Sequence, residues 1–226
     1  MLSEIFKFFW KTVERKDARR INSQTPPTEI EQFCDIQYID DGLWQHSLDV
    51  YSKSGKLSHR PVIIDIHGGG WMYGTKEINK NYCLVLAQND YVVVNINYRL
   101  APDFSVADQL RDCFFAFKWV STNIEKYGGD LNNVFVTGDS AGGFLAAYSA
   151  LLNSSEKLRK IFGVTESGLE FRACGLTSPV CFMNTHTFQD VYYSRVKGKE
   201  FSESTLRGFE NFDAVLNKGS MPPTFL

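Results

Sequence analysis

Four short runs restrict the architectures open to this chain: "PVIIDI" at 61–66, "YVVVNI" at 91–96, "NVFVT" at 133–137 and "FRACGLTSPV" at 171–180. Each is rich in β-branched or apolar residues, and none alternates strictly with polar ones. Strands of this kind are covered on both faces, which is the situation in a parallel sheet with crossover helices. Helix-like segments separate the runs. In "SVADQLRDCFFAFKWVSTNIEKYGG", Val106, Leu110, Cys113, Phe114, Phe117, Val120 and Ile124 fall on one stripe, Ser105 and Asp108 have capping-box spacing, and Gly128 offers a stop. A shorter stripe of Ile78, Tyr82, Val85 and Leu86 precedes the second parallel run. Upstream, "DIQYIDDGLWQHSLDVYSK" reads as two antiparallel strands turning at Asp41-Gly42. The expected class is α/β, a mostly parallel central sheet with helices on both faces.

A chain of 226 residues that is 43% hydrophobic has material for one core and is short for two. Within that single domain, 1–30 reads as a helix and link, 31–181 as the sheet core, 182–220 as an aromatic-rich helical insertion, and 221–226 as the start of a further buried strand. With 24 basic and 26 acidic residues the net charge is -2, which argues against nucleic acid as a partner and favours a small, near-neutral substrate. Cys34, Cys83, Cys113, Cys174 and Cys181 are widely spaced and odd in number. They read as reduced thiols of a cytoplasmic protein, without metal-site spacing. In the opening "MLSEIFKFFWKTVERKDARR", Glu4 and Lys7 interrupt the apolar part, so an amphipathic helix is expected in place of a signal peptide. Ile5, Phe8, Phe9 and Val13 would form its docking stripe, with attachment to a membrane surface as the second reading. No run approaches the ~18 apolar residues of a membrane span, so no stable insertion is expected.

The chemistry is concentrated in two glycine-rich motifs. "GDSAG" at 138–142 sits between a strand-like and a helix-like run, where Gly138 and Gly142 permit a sharp bend presenting Ser140. A serine hydroxyl is a weak nucleophile and needs a base, an orienting acid and donors for the developing oxyanion. The helix start behind Ser140 supplies the Ala141 N–H as one donor. "HGGGW" at 67–71 follows the strand "VIIDI", and its glycines let backbone approach a bound acyl group, with the N–H groups of Gly69 and Gly70 completing the hole. The two motifs are about 70 residues apart with two helix–strand crossovers between them. Trp71, Met72 and Tyr73 after the loop, and Phe182, Met183 and Phe188 at the start of the insertion, are candidates for an apolar substrate pocket or for ordinary packing.

With "NYRLAP" (97–102), "YGGD" (127–130) and "MPPTFL" (221–226), these motifs resemble the hormone-sensitive-lipase-like branch of the α/β-hydrolase fold. The resemblance runs from about Asp35 to the last residue. It implies a cofactor-free, metal-free serine esterase for short to medium acyl esters, with Ser140 as nucleophile, Gly69, Gly70 and Ala141 as oxyanion donors, and the N-terminal helix with 182–220 as a cap. In that family an acid and then a histidine follow the nucleophile. The acid is expected just beyond the strand that opens at "PPTFL", so the sequence reads as a piece lacking the last strands and helices, poorly soluble by itself. His67 precedes Ser140 and supports the glycine loop in the family. His46 and His59 read as solvated or packed, and His186 as a residue of the insertion. Asp139 is expected to brace the turn, with Arg99 as one partner. A catalytically inactive α/β-hydrolase that binds a small molecule is the alternative, and amide or carbohydrate-ester cleavage would use the same front half of the mechanism.

Overall fold

A computed structural model of the protein describes residues 2–55, 59–183, 189–203 and 206–226, and the side chains among them other than those of 2–7, 189, 202 and 203. The chain opens with helix α1 (Leu2–Asn22), followed by strands β1 (Ile30–Gln37), β2 (Ser47–Lys53) and β3 (Arg60–Ile66). Helix α2 (Lys80–Gln88), β4 (Val92–Ile96), α3 (Val106–Asn123), β5 (Gly129–Asp139) and α4 (Ala141–Asn153) come next. The described chain closes with α5 (Glu156–Phe162), β6 (Phe171–Thr177), α6 (Gln189–Glu203), α7 (Phe212–Leu216) and β7 (Thr224–Phe225). The strands form one sheet in the order β1-β2-β4-β3-β5-β6-β7. The first two pairings are antiparallel and the other four parallel. This is the doubly covered, mostly parallel sheet expected from the four apolar runs. β3 and β5 are neighbours in register Ile66↔Gly138, so the two glycine motifs leave the sheet side by side at its C-terminal edge.

One face of the sheet is closed by α3 and α4. All seven stripe residues are buried, six on α3 and Ile124 in the turn just after it, and Ser105 and Asp108 form the reciprocal capping box. α2 covers only part of the other face, and it does so differently from its sequence stripe. Cys83, Leu84 and Ala87 pack on Tyr51 and Val93, while Tyr82 and Val85 are exposed. The small residues at 83 and 87 let the helix approach β2 and β4 closely, and that turns Tyr82 sideways toward β5. There Tyr82, Ile63, Phe135, Ala173 and Phe225 border a cavity of about 240 Å³. β7 pairs with β6 through Cys174↔Thr224 as a strand, but Thr224 and Phe225 are exposed where a buried strand was expected.

α1 docks by a face that keeps Val13 of the expected stripe but not Phe8 or Phe9, and the Ile5 side chain lies outside the described ones. Phe8 and Phe9 are 74% and 55% exposed. Trp10, Val13, Asp17 and Ile21 turn toward the body instead, because the broad ring of Trp10 stacks on Tyr73 (5.4 Å between centroids, 13° between planes) and carries its helical neighbours inward with it. All five cysteines are free thiols, three of them fully buried and Cys34 exposed.

Candidate active site

Ser140 lies between the last residue of β5 and the first of α4, at φ 50° and ψ -113°, a region that residues with a Cβ avoid. The surroundings hold it there. Its N–H donates to the Thr177 carbonyl (2.9 Å), and its own carbonyl accepts from Phe144 N (3.1 Å) and Val180 N (3.2 Å). The bend is close-packed on the first motif: a Cβ on Gly142 would collide with the carbonyl oxygens of Ile66 and His67. The serine turn and the glycine loop are therefore in van der Waals contact.

The loop's peptide planes are fixed from their carbonyl sides. His67 Nδ1 lies 2.6 Å from the Gly68 carbonyl oxygen, and the proton it donates holds that oxygen. The Gly69 carbonyl accepts from Met72 N (3.2 Å) and Tyr73 N (3.0 Å). In a trans peptide the N–H points opposite to the C=O, so these bonds aim the N–H groups of Gly69 and Gly70 away from their anchors. Gly69 at φ 120° and Gly70 at φ 57° occupy backbone regions that glycine reaches without a Cβ penalty. Among the described residues, the N–H groups of Gly69, Gly70 and Ala141 have no hydrogen-bond acceptor. Three unshared backbone donors thus sit on the two segments that Gly142 brings together.

The two segments are also tied by side chains. Asp139 Oδ1 accepts from Gly68 N and from Asn79 Nδ2, both at 2.9 Å, and Asn79 Nδ2 donates its second proton to Asp65 Oδ2 at 3.0 Å. Asp139 does brace the turn, but its partners are Gly68 and Asn79. Arg99 is held instead by the fully buried Asp112, at 2.7 and 2.9 Å. From above, the Tyr192 hydroxyl of α6 donates to the Gly70 carbonyl, and the Trp10 ring of α1 lies against Gly70 Cα. Asn79, Asp65, Tyr192 and Trp10 escape a reading of the sequence. The one visible signal was Asp65, an ionisable residue inside the otherwise apolar "PVIIDI".

None of the described histidines hydrogen-bonds the Ser140 hydroxyl. His67 is buried and stacked on Tyr98 (4.4 Å between centroids), and Tyr98 Oη donates to the His67 carbonyl at 2.8 Å. Burial lowers its pKa to about 4, so the ring is neutral and its Nδ1 proton stays committed to the loop. His46 is packed, the second of its two expected readings. It is buried between Asp41 (2.7 Å) and Asp112 (3.2 Å), and although burial pulls its pKa down, the two carboxylates outweigh that and raise it. His59 is exposed. His186 lies outside the described residues, as does Phe188. Burial raises the Asp65 carboxyl to about 7, opposed by the Asn79 hydrogen bond and reinforced by the charge of Asp139.

Of the residues expected to border a pocket, Trp71 is 1% exposed and packs edge-on against Phe144 and Tyr193, as part of the core. Tyr73 is half-buried under Trp10, its hydroxyl 3.3 Å from Asp17 Oδ2. Phe182 is 54% exposed and forms a β-bridge with Asn211, while Met183 is in the core. A cavity of about 350 Å³ lies between α1 and the loop, with Glu14, Ile21, Met72, Tyr73 and Leu100 among its walls.

A strained serine at a strand-to-helix bend, at the C-terminal edge of a sheet of this order, defines an α/β-hydrolase fold. Comparison with known proteins narrows the class. The BD-FAE family model matches residues 48–188. Esterase B from Lactobacillus rhamnosis, in a structure with a tributyrin phosphonate inhibitor, superposes on 99% of the chain and 72% of its own, with a TM-score of 0.92 and 30% identity. Carboxylesterase NlhH of Mycobacterium tuberculosis is 34% identical over 62% of this chain and 45% of its own. Versiconal hemiacetal acetate esterase of Dothistroma septosporum is 36% identical over 49% of this chain and 33% of its own. The chain spans about half or less of the curated relatives it matches. It belongs to the BD-FAE family and, with these relatives, to the hormone-sensitive-lipase-like carboxylesterases of the α/β-hydrolase fold.

Proposed function

We propose that the protein is a serine carboxylic ester hydrolase that works through an acyl-Ser140 intermediate on short to medium acyl esters. The observation that carries this reading is the set of three acceptor-free backbone donors beside a strained serine. Ser140 Oγ attacks the ester carbonyl carbon while its proton passes to a base. The carbonyl oxygen becomes an oxyanion that accepts from the N–H groups of Gly69, Gly70 and Ala141, and collapse of the tetrahedral intermediate expels the alcohol, which takes up a proton. Water then hydrolyses the acyl-enzyme by the same steps. Because the donors are anchored before substrate arrives, their orientation costs nothing at the moment of reaction. The base is a histidine other than His46 and His67, whose rings are committed elsewhere, and other than His59, which precedes β3 at the opposite edge of the sheet from Ser140. No step calls for a metal or cofactor. The names of the relatives support the ester class, and the tributyrin phosphonate on esterase B supports acyl groups near butyryl.

Replacing Ser140 by Ala in the whole protein should lower turnover of p-nitrophenyl butyrate by on the order of 10⁴-fold or more and abolish labelling by a fluorophosphonate. Undiminished turnover would remove the assignment. A parent protein that resists the label would favour a binding protein built on the same fold.

A further inference from the structure

Helix α1 separates its charges around its axis. Trp10, Val13, Asp17 and Ile21 face the body. Half a helical turn away stand Phe8, Thr12, Arg15 and Arg19, flanked by Lys11, Lys16 and Phe9, and every one of these is exposed. Of the acids of α1 whose side chains are described, neither shares that side. Asp17 is turned inward to Tyr73 and Arg20, and Glu14 borders the cavity beneath the helix. Among the described residues no carboxylate pairs with Lys11, Arg15, Lys16 or Arg19. The chain as a whole carries a charge of -2, so this cationic face reflects local sorting and not a general excess of base.

We propose that the outer face of α1 docks the protein on an anionic lipid bilayer. Four cations along about 14 Å of helix would meet several phosphate headgroups at once, each adding to the attraction. Long Lys and Arg stems can lie on apolar surface while their charged ends stay at headgroup level. Phe8 and Phe9, adjacent at one end of the face, would bury their rings at the acyl boundary, where exposed aromatic rings gain most. A soluble polyanion without aromatic groups, such as heparin, would use the cations but has no use for paired phenylalanines. The docking itself does not depend on the hydrolase reading. If that reading holds, there is a consequence, since the opposite face of the same helix touches Gly70 and Tyr73 through Trp10: the bilayer would lie on the side of the molecule where the candidate oxyanion loop sits, and lipid-dissolved esters would be within reach.

The test is co-sedimentation of the purified whole protein with vesicles of phosphatidylcholine alone, and of phosphatidylcholine containing about one-third phosphatidylglycerol. Binding to the anionic vesicles only is expected, with release as salt is raised to about 0.5 M. Arg15→Gln and Arg19→Gln should each weaken it by roughly fivefold. Phe8→Ala with Phe9→Ala should weaken vesicle binding while leaving retention on heparin unchanged. These side chains are exposed, so the melting temperature of each variant should match the parent's. Absence of anionic-vesicle binding at low salt would overturn the proposal. So would vesicle binding that ignores the phenylalanine pair, which would mark α1 as a general polyanion surface. Ser140→Ala should leave vesicle binding untouched, so failure of docking and failure of the hydrolase reading are separate results.

Discussion

Asn79 has one amide nitrogen and spends both of its protons on carboxylates, Asp65 at 3.0 Å and Asp139 at 2.9 Å. Asp139 in turn holds the Gly68 N–H, one residue before the first candidate oxyanion donor, while its own backbone leads directly into Ser140. A residue that touches no substrate thereby sets the spacing between donor and nucleophile. Losing one oxyanion donor outright costs about 10² to 10³ in kcat, and loosening its support should cost less. Asn79→Leu is expected to lower kcat by roughly tenfold with KM little changed, since the acyl and alcohol contacts are elsewhere. Steady-state kinetics on p-nitrophenyl esters would decide this, and an unchanged kcat in a protein that melts normally would break the proposed link. A hydrogen bond spanning 60 residues of sequence, like the Asn79–Asp139 pair, has no signature in local pattern. The motif glycines did, because only close backbone approach explains three in a row.

At the scale of elements, the four apolar runs and the α3 stripe could be read directly, since burial on both faces and a single buried stripe each leave a periodic trace. The helices that lie on the body with one narrow strip could not. α1 and α2 each contain enough apolar residues for two different stripes, and the choice between them falls to partners: Tyr73 for Trp10, and Tyr51 and Val93 for Cys83 and Ala87. The paired charges of Arg99, Asp112, His46 and Asp41 were likewise hidden, because their members come from separate segments. For α1 the attachment is concentrated in the Trp10–Tyr73 stack, the Tyr73–Asp17 bond and a long contact from Arg20 to the Ile78 carbonyl. Few anchors mean a low free energy of local detachment. Trp10→Ala should speed proteolysis within residues 8–22 by at least several-fold while leaving the main unfolding transition of the sheet in place. Loss of cooperativity throughout the molecule in that variant would show that α1 is integral to the core.

Stability as a function of pH belongs to the whole molecule, and two buried groups next to the site pull it in opposite directions. Asp65, raised from 3.8 to about 7, holds a proton in the folded state that the unfolded chain has already released. Its burial therefore costs nothing below about pH 4 and becomes progressively destabilising as pH climbs to 7. His67, lowered from 6.5 to about 4, refuses a proton that the unfolded chain binds. Its neutral burial is free of cost above pH 6.5, and stability is lost as pH falls toward 4. Over the shared interval the folded protein gains one proton at Asp65 and lacks one at His67, so the two slopes nearly cancel. His46, raised above 6.5 by its carboxylates, adds a decline only on the alkaline side. Single replacements should unmask the hidden slopes. In Asp65→Asn, stability should rise by roughly 3 kcal/mol between about pH 4 and 6.5, and in His67→Gln it should fall by a similar amount over the same range. Urea unfolding at about pH 4.5 and 6.5 is the measurement. Parallel profiles for the two variants would mean that these groups do not titrate against burial, and that water reaches the polar support beneath the glycine loop.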